Sequence, residues 1–333
     1  MSNVTVKTEF RQVRDFGEVF GVSFEFIRQN FKPLCTGVLY IGGPFLLVGS
    51  AVLTLMLVRT VSLVPGEGTG FDAVAFGVTY FVNILSLLAG AVMITSVVNG
   101  YIKLYMESPE AKPQIGVNEL WRQVRQDFWW VAGRLFLLSV LAFVYFGLLI
   151  GMGVAVFASG SSVGLKVAFG FIYVFGLIAA GMYFYVYGFC IFPTQSYFER
   201  TSLGGSFSRV PYLVKGHWWQ TFGVAFIGSI IQSVVASILY LPFYFILIFA
   251  GLFSIQSGGT PNTSLLTVAG VGMSVGLTLG YGMSFIINFV LMAVQYYNLL
   301  EGKESTGLLN KIESLGTVPT AAKTDFYDEE EKY

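Results

Sequence analysis

The chain has 333 residues, 55% of them hydrophobic and only 11% charged, and its mean hydropathy of +0.70 exceeds what a water-soluble core can hide. A bilayer is therefore the expected solvent, and a net charge of zero without a long basic run argues against nucleic acid as a partner. The two cysteines, Cys35 and Cys190, lie at or within apolar segments without a C-x-x-C spacing, so they predict packing residues and no disulfide framework.

The first thirty-odd residues are polar, with Lys7, Arg11 and Arg14 beside Glu9, Asp15 and Glu18, which predicts no cleavable signal peptide and insertion through the first span. A bilayer core of roughly 30 Å needs about 20 apolar residues per helix. Six windows satisfy this, at 34–58, 72–102, 132–158, 164–193, 221–251 and 265–299. Pro44 and Pro242 predict kinks in the first and fifth. All 19 Lys and Arg except Arg59 and Lys166 fall before the first span, after the last, or in the two alternate connections, with Arg134 at the edge of the third span counted in the first of these connections, so the charge bias predicts both termini in the cytoplasm. The connections on the other side, such as Val64-Pro65-Gly66 and Ser257-Gly258-Gly259-Thr260-Pro261, are short turn sequences that make each pair of spans a hairpin.

A similar segment precedes each hairpin. Ile27-Arg28-Gln29-Asn30-Phe31-Lys32, Val124-Arg125-Gln126-Asp127-Phe128-Trp129 and Val214-Lys215-Gly216-His217-Trp218-Trp219 share a β-branched, basic, any, polar, aromatic order. Each closes an amphipathic stretch: Phe16, Phe20, Phe24, Ile27 and Phe31 in the first, Val117, Leu120, Trp121, Val124 and Phe128 in the second, Phe207, Val210, Val214 and Trp218 in the third. Pro211 predicts a shorter or kinked third copy. The expected fold is an all-α integral membrane protein of six transmembrane helices in three hairpins, each preceded by an amphipathic interfacial cytoplasmic helix, with pseudo-threefold repeats at about 15–102, 117–193 and 204–299. Common ancestry and the shared needs of membrane elbows both account for the pattern. The membrane-interface residues are Phe31, Trp121, Phe128, Trp129, Trp130, Trp218 and Trp219, which include all five tryptophans. Residues 1–300 form the membrane domain; 301–333 form a tail in which Ser305 and Thr306 cap a short helix carrying Leu308, Ile312 and Leu315, before an acidic end at Asp328-Glu329-Glu330-Glu331.

The spans hold essentially no ionisable residue away from their ends, and the lone His217 sits at an elbow, so no catalytic residue, cofactor or metal ligand is expected. Their polar residues, Asn83, Asn99, Gln232, Asn288 and Gln295, predict hydrogen bonds between helices ahead of substrate contact. Gly272, Gly276, Gly280, Ser284 and Asn288 recur every fourth residue as a smooth ridge, with a shorter version at Gly147 and Gly151. Such a ridge packs inside the bundle or, as the sharper alternative, joins two chains or a membrane-protein partner.

Around the third elbow, Phe192-Pro193-Thr194-Gln195-Ser196-Tyr197-Phe198-Glu199, Gly205-Ser206, Leu213 to Trp218 and Phe222-Gly223 resemble the bacterial multipass proteins similar to the membrane domain of glycerophosphoryl diester phosphodiesterases. The resemblance implies a bacterial cytoplasmic membrane and a membrane module without the soluble catalytic barrel, whose acidic and histidine metal ligands have no counterpart here. The leading expectation is thus a non-enzymatic scaffold or accessory subunit embedded in the lipid bilayer; the alternative is a carrier or flippase for an apolar or lipid-like substrate. A ligand-sized cavity separates the two, since a scaffold is expected to be filled and a carrier is not.

Overall fold

The computed structural model describes residues 7–62, 73–110, 113–158, 162–257 and 263–305, with 309 and 312; side chains are described outside 57–73 and 254–263. Among these residues every regular element is helical. In chain order they are α1 (Phe16–Gly37), α2 (Gly43–Ser62), α3 (Ala73–Glu107), α4 (Val117–Ala158), α5 (Val163–Phe184), α6 (Phe192–Glu199), α7 (Leu203–Val214), α8 (Trp218–Ser257) and α9 (Thr263–Glu304). Six continuous rods among them are long and apolar enough to cross a membrane: α1–α2, α3, α4, α5–α6, α8 and α9. They define a multi-pass helical membrane protein. The rods overrun the apolar windows, chiefly at the end of the bundle where the chain's charges gather, so they are longer than hydropathy alone predicts.

Two rods contain a wide turn. Val38–Gly42 joins α1 to α2, and Tyr185–Ile191 joins α5 to α6, with Gly43 N–H reaching Val38 O and Phe192 N–H reaching Tyr187 O, five residues back. Each comes directly before a proline, Pro44 or Pro193, whose ring lacks an N–H and crowds the carbonyl four residues earlier. Widening the turn relieves that clash without breaking the rod. Pro242 behaves differently, and α8 runs on past it.

The three elbows adopt three backbone solutions. At the first, a capping box between Asp15 and Glu18 (2.8 and 3.1 Å) starts α1, and the helix kinks at Asn30 (φ −115°, ψ 18°), three residues before Pro33. The kink is fastened: Asn30 Nδ2 donates to Phe26 O at 2.9 Å while its Oδ1 accepts from Tyr101 at 2.8 Å. At the third, α7 is only twelve residues long, and Gly216 (φ 91°) turns the chain so that α8 starts beyond His217. The second differs from expectation, because α4 passes through Asp127-Phe128-Trp129 without a turn. No Pro or Gly interrupts 117–132, and Asp127 is instead drawn into the protein.

More than half of the most apolar stretch of α3 and of α9 is buried inside the protein, whereas that of α5 is not buried at all. The core therefore lies between α1–α2, α3 and α9, and α4, α5 and α8 present most of their apolar surface outward, to lipid. The small-residue row of α9 is covered by α8. A Cβ on Gly276 would lie 2.6 Å from Leu239 O, one on Gly280 2.6 Å from Ala236 O, and one on Gly272 would meet the Phe243 ring. Ser284 is buried and Asn288 bonds to α8, so this ridge is occupied within one chain. Gly147 and Gly151 have nothing within 4 Å and make no comparable seam. Most of the expected tail helix and the acidic end lie outside the described residues; Leu309 and Ile312 are exposed.

Two expectations follow. Gly276→Ala and Gly280→Ala must each push α8 away and should cost about 1–3 kcal/mol, whereas Gly147→Ala should stay within about 0.5 kcal/mol of wild type; denaturation in detergent compares them. Gly216→Ala, forced into the left-handed region, should lose about 1–2 kcal/mol in the same assay.

Candidate functional site

Four helical faces meet around a cavity of about 470 Å³. From α3 come Leu87, Leu88, Ala91, Ile94 and Thr95; from α4, Leu135, Leu138, Ser139 and Ala142. The wide turn and the start of α6 supply Tyr185, Phe189, Cys190 and Pro193, and α9 supplies Phe285, Asn288, Phe289 and Met292. Each set follows helical spacing, so each is a single stripe of its helix. The small side chains Ala91, Ser139 and Ala142 leave the space open, and the widened turn offsets the α5–α6 rod beside it. Leu87 and Phe189 at the rim are 52% and 60% exposed, so the cavity opens sideways at the level of the spans. Its size falls in the range of small-molecule sites, about 300–1,000 Å³.

No charged residue lines it. Its polar groups form a directional chain. Tyr185 donates to Ala225 O at 2.9 Å, which leaves the Ser229 hydroxyl to donate to Tyr185; Asn288 Nδ2 donates to Ser229 Oγ at 3.3 Å and to Gln232 Oε1 at 3.0 Å. Ser139 spends its hydrogen on Leu135 O at 2.8 Å.

Beyond the cavity, towards the end that carries the elbows, α4, α6 and α9 turn polar and the turn after α6 and α7 join them. On α4, Leu120, Val124, Asp127, Val131, Arg134 and Leu138 form one buried stripe, so its spacing carries both charges inward. Asp127 accepts from Tyr197 at 2.7 Å, from Gln123 at 2.5 Å and from Arg200, which sits in a left-handed conformation after α6. Arg134 stacks on Trp130, with its guanidinium carbon 4.2 Å from the ring centroid, and donates to Ser196 Oγ (3.1 Å), Ser206 Oγ (2.6 Å) and Thr201 O. Glu199 accepts from Tyr296 (2.8 Å), Gln195 (2.9 Å) and Arg209 (3.0 Å). Burial works against the Arg209 cation, but its bonds to Glu199 and to Glu304 outweigh that and raise its pKa. This network locks α6 and the turn after it to α4 and α9.

Of the intramembrane amides singled out in the sequence, Gln232 and Asn288 pair across α8 and α9, Gln295 donates to Thr221 of α8 at 3.1 Å, and Asn83 reaches Gly49 O of α2 at 3.5 Å. Asn99 is fully buried with neither amide atom partnered, as are the hydroxyls of Ser96 and Thr194. The elbow aromatics divide. Phe31, Trp121, Trp129 and Trp219 are exposed, Phe128 is half-buried, Trp130 donates to Ser196 O at 3.0 Å, and Trp218 stacks on Phe222. Among the described residues no group of three or more His, Cys, Asp or Glu is arranged to hold a metal ion.

No family model, curated protein or solved structure matches the chain, and none ties it to the phosphodiesterase membrane domains.

Asp127→Ala strands the buried Tyr197 hydroxyl and should cost about 2–3 kcal/mol. Arg200 is half exposed but is the cation bonded to a carboxylate that is only 1% exposed, so Arg200→Ala leaves that charge unpaired and should cost about 3 kcal/mol or more. Thermal unfolding of the two variants checks both.

Proposed function

We propose that this protein binds an uncharged, apolar or lipid-like molecule inside the membrane and carries it, with entry from the bilayer through the side of the bundle. One observation carries the reading: a lateral cavity of about 470 Å³ with no charged wall residue, where a scaffold would be packed solid. For comparison, a dry cavity of about 150 Å³ already binds benzene. The carrier needs no catalytic step, and it needs no buried charge along the route. The termini lie in the cytoplasm in this reading, as the distribution of Lys and Arg supports, and the exposed row Phe16, Phe24 and Phe31 on α1 supports seating that helix in the headgroup region. A bacterial cytoplasmic membrane rests on the third-elbow residues alone.

A second reading, a scaffold or accessory subunit, has its own support. The apolar face of α5 is unburied along its span and is wide enough for another membrane protein to cover.

Native mass spectrometry of protein gently extracted from its own membrane separates them. The carrier reading expects one retained lipid or apolar metabolite, lost when Ala91→Phe and Ala142→Phe together fill the cavity. A stoichiometric protein partner without such a molecule, or equal retention by the filled variant, contradicts it.

A further inference from the structure

Apart from the Thr95 hydroxyl and the Cys190 thiol, the donor hydrogens around the cavity are already committed. Both amide hydrogens of Asn288 go to α8, the Ser229 hydroxyl goes to Tyr185, the Tyr185 hydroxyl goes to Ala225 O, and Ser139 bonds its own helix. Asn288 Oδ1 accepts no hydrogen bond among the described residues, so this wall offers an acceptor. On the α3 wall of the same cavity, the Thr95 hydroxyl makes no hydrogen bond among the described residues and can donate. An acceptor on α9 and a hydroxyl on α3, set in an otherwise apolar and uncharged wall, match a group that both gives and takes one hydrogen bond.

We infer that the ligand is an uncharged, long-chain molecule bearing a hydroxyl, which donates to Asn288 Oδ1 and accepts from Thr95, with its hydrocarbon against Leu138, Phe285 and Phe289. The inference rests on the proposed carrier reading and narrows it to a substrate class. An ether or ester oxygen cannot donate and would leave Asn288 unmatched; a carboxylate would bring a charge into a wall with no cation to receive it.

The test is equilibrium binding of radiolabelled 1-dodecanol to the full chain in amphipol, competed with dodecyl methyl ether and with dodecanoate. Wild type should prefer the alcohol by about tenfold or more, the factor that one unmatched buried acceptor of about 1.4 kcal/mol produces. Asn288→Leu should bring alcohol and ether within about twofold of each other by the same arithmetic. That variant also removes bonds to α8, so Thr95→Val, which keeps shape and severs no protein hydrogen bond, is measured beside it and should weaken the alcohol selectively. Equal binding of alcohol and ether in wild type, or tighter binding of dodecanoate, overturns the hydroxyl inference while the cavity reading stands if Ala142→Phe abolishes binding. Failure of every probe to bind wild type overturns both.

Discussion

The closeness of α8 to α9 is the constraint on which the rest of the bundle depends. Where Gly276 and Gly280 have only hydrogen, the carbonyls of Leu239 and Ala236 approach the α9 backbone closer than any side chain would permit. In lipid, where burying apolar area gives little drive for helices to associate, this contact, the amide pair Asn288–Gln232 and the bond from the Gln295 amide to the Thr221 hydroxyl fix α9 in register with α8. With that face committed, α9 turns Phe285, Phe289 and Met292 to the cavity and its far end to the chain before α1. There Asn298 Oδ1 accepts from Arg14 N–H at 2.8 Å, and Phe10, Phe26, Tyr105 and Tyr297 pack edge to face.

Charge is separated from the cavity along α4 and α6, with α7 beside them. Asp127, Arg134, Glu199 and Arg209 are gathered at one end, where carboxylates, hydroxyls and carbonyls satisfy them, and the walls beyond stay neutral. Arg134 shows how this is done without a carboxylate: its acceptors are two hydroxyls and the backbone oxygen that follows α6, and Trp130 covers its face. Because these bonds hold α6, they also hold Pro193 and the wide turn that shapes one wall. Rigidity at the polar end and an unfilled space beside it are parts of one arrangement.

How much of this the amino-acid order discloses varies by residue. The six spans follow from apolar windows, since length and hydropathy are local properties. The ridge from Gly272 to Asn288 is legible as a four-residue period, but its partner is not, because Leu239 and Ala236 carry no mark that their carbonyls will be approached. Asp127 and Arg134 were legible in principle. They share a helical stripe with Leu120, Val124, Val131 and Leu138, yet residue type suggests an aqueous interface, and here the period outweighs the type. The similar elbow sequences do not give similar backbones: Pro33 bends the first, Gly216 opens the third, and the second has neither. The cavity could not be read at all, since it exists only where stripes from four distant segments meet beside a widened turn.

The central claim is that the space between α3, α4, the wide turn and α9 is a seat for a molecule. Structure determination of the full chain in nanodiscs made directly from its native membrane tests it most closely. The account predicts an elongated, non-protein density lying against Phe289 and Leu138 and in contact with Asn288 and Thr95. Contradiction would come from Leu138, Phe189 and Phe289 closing on one another, with α4 against α9 and no space left between them.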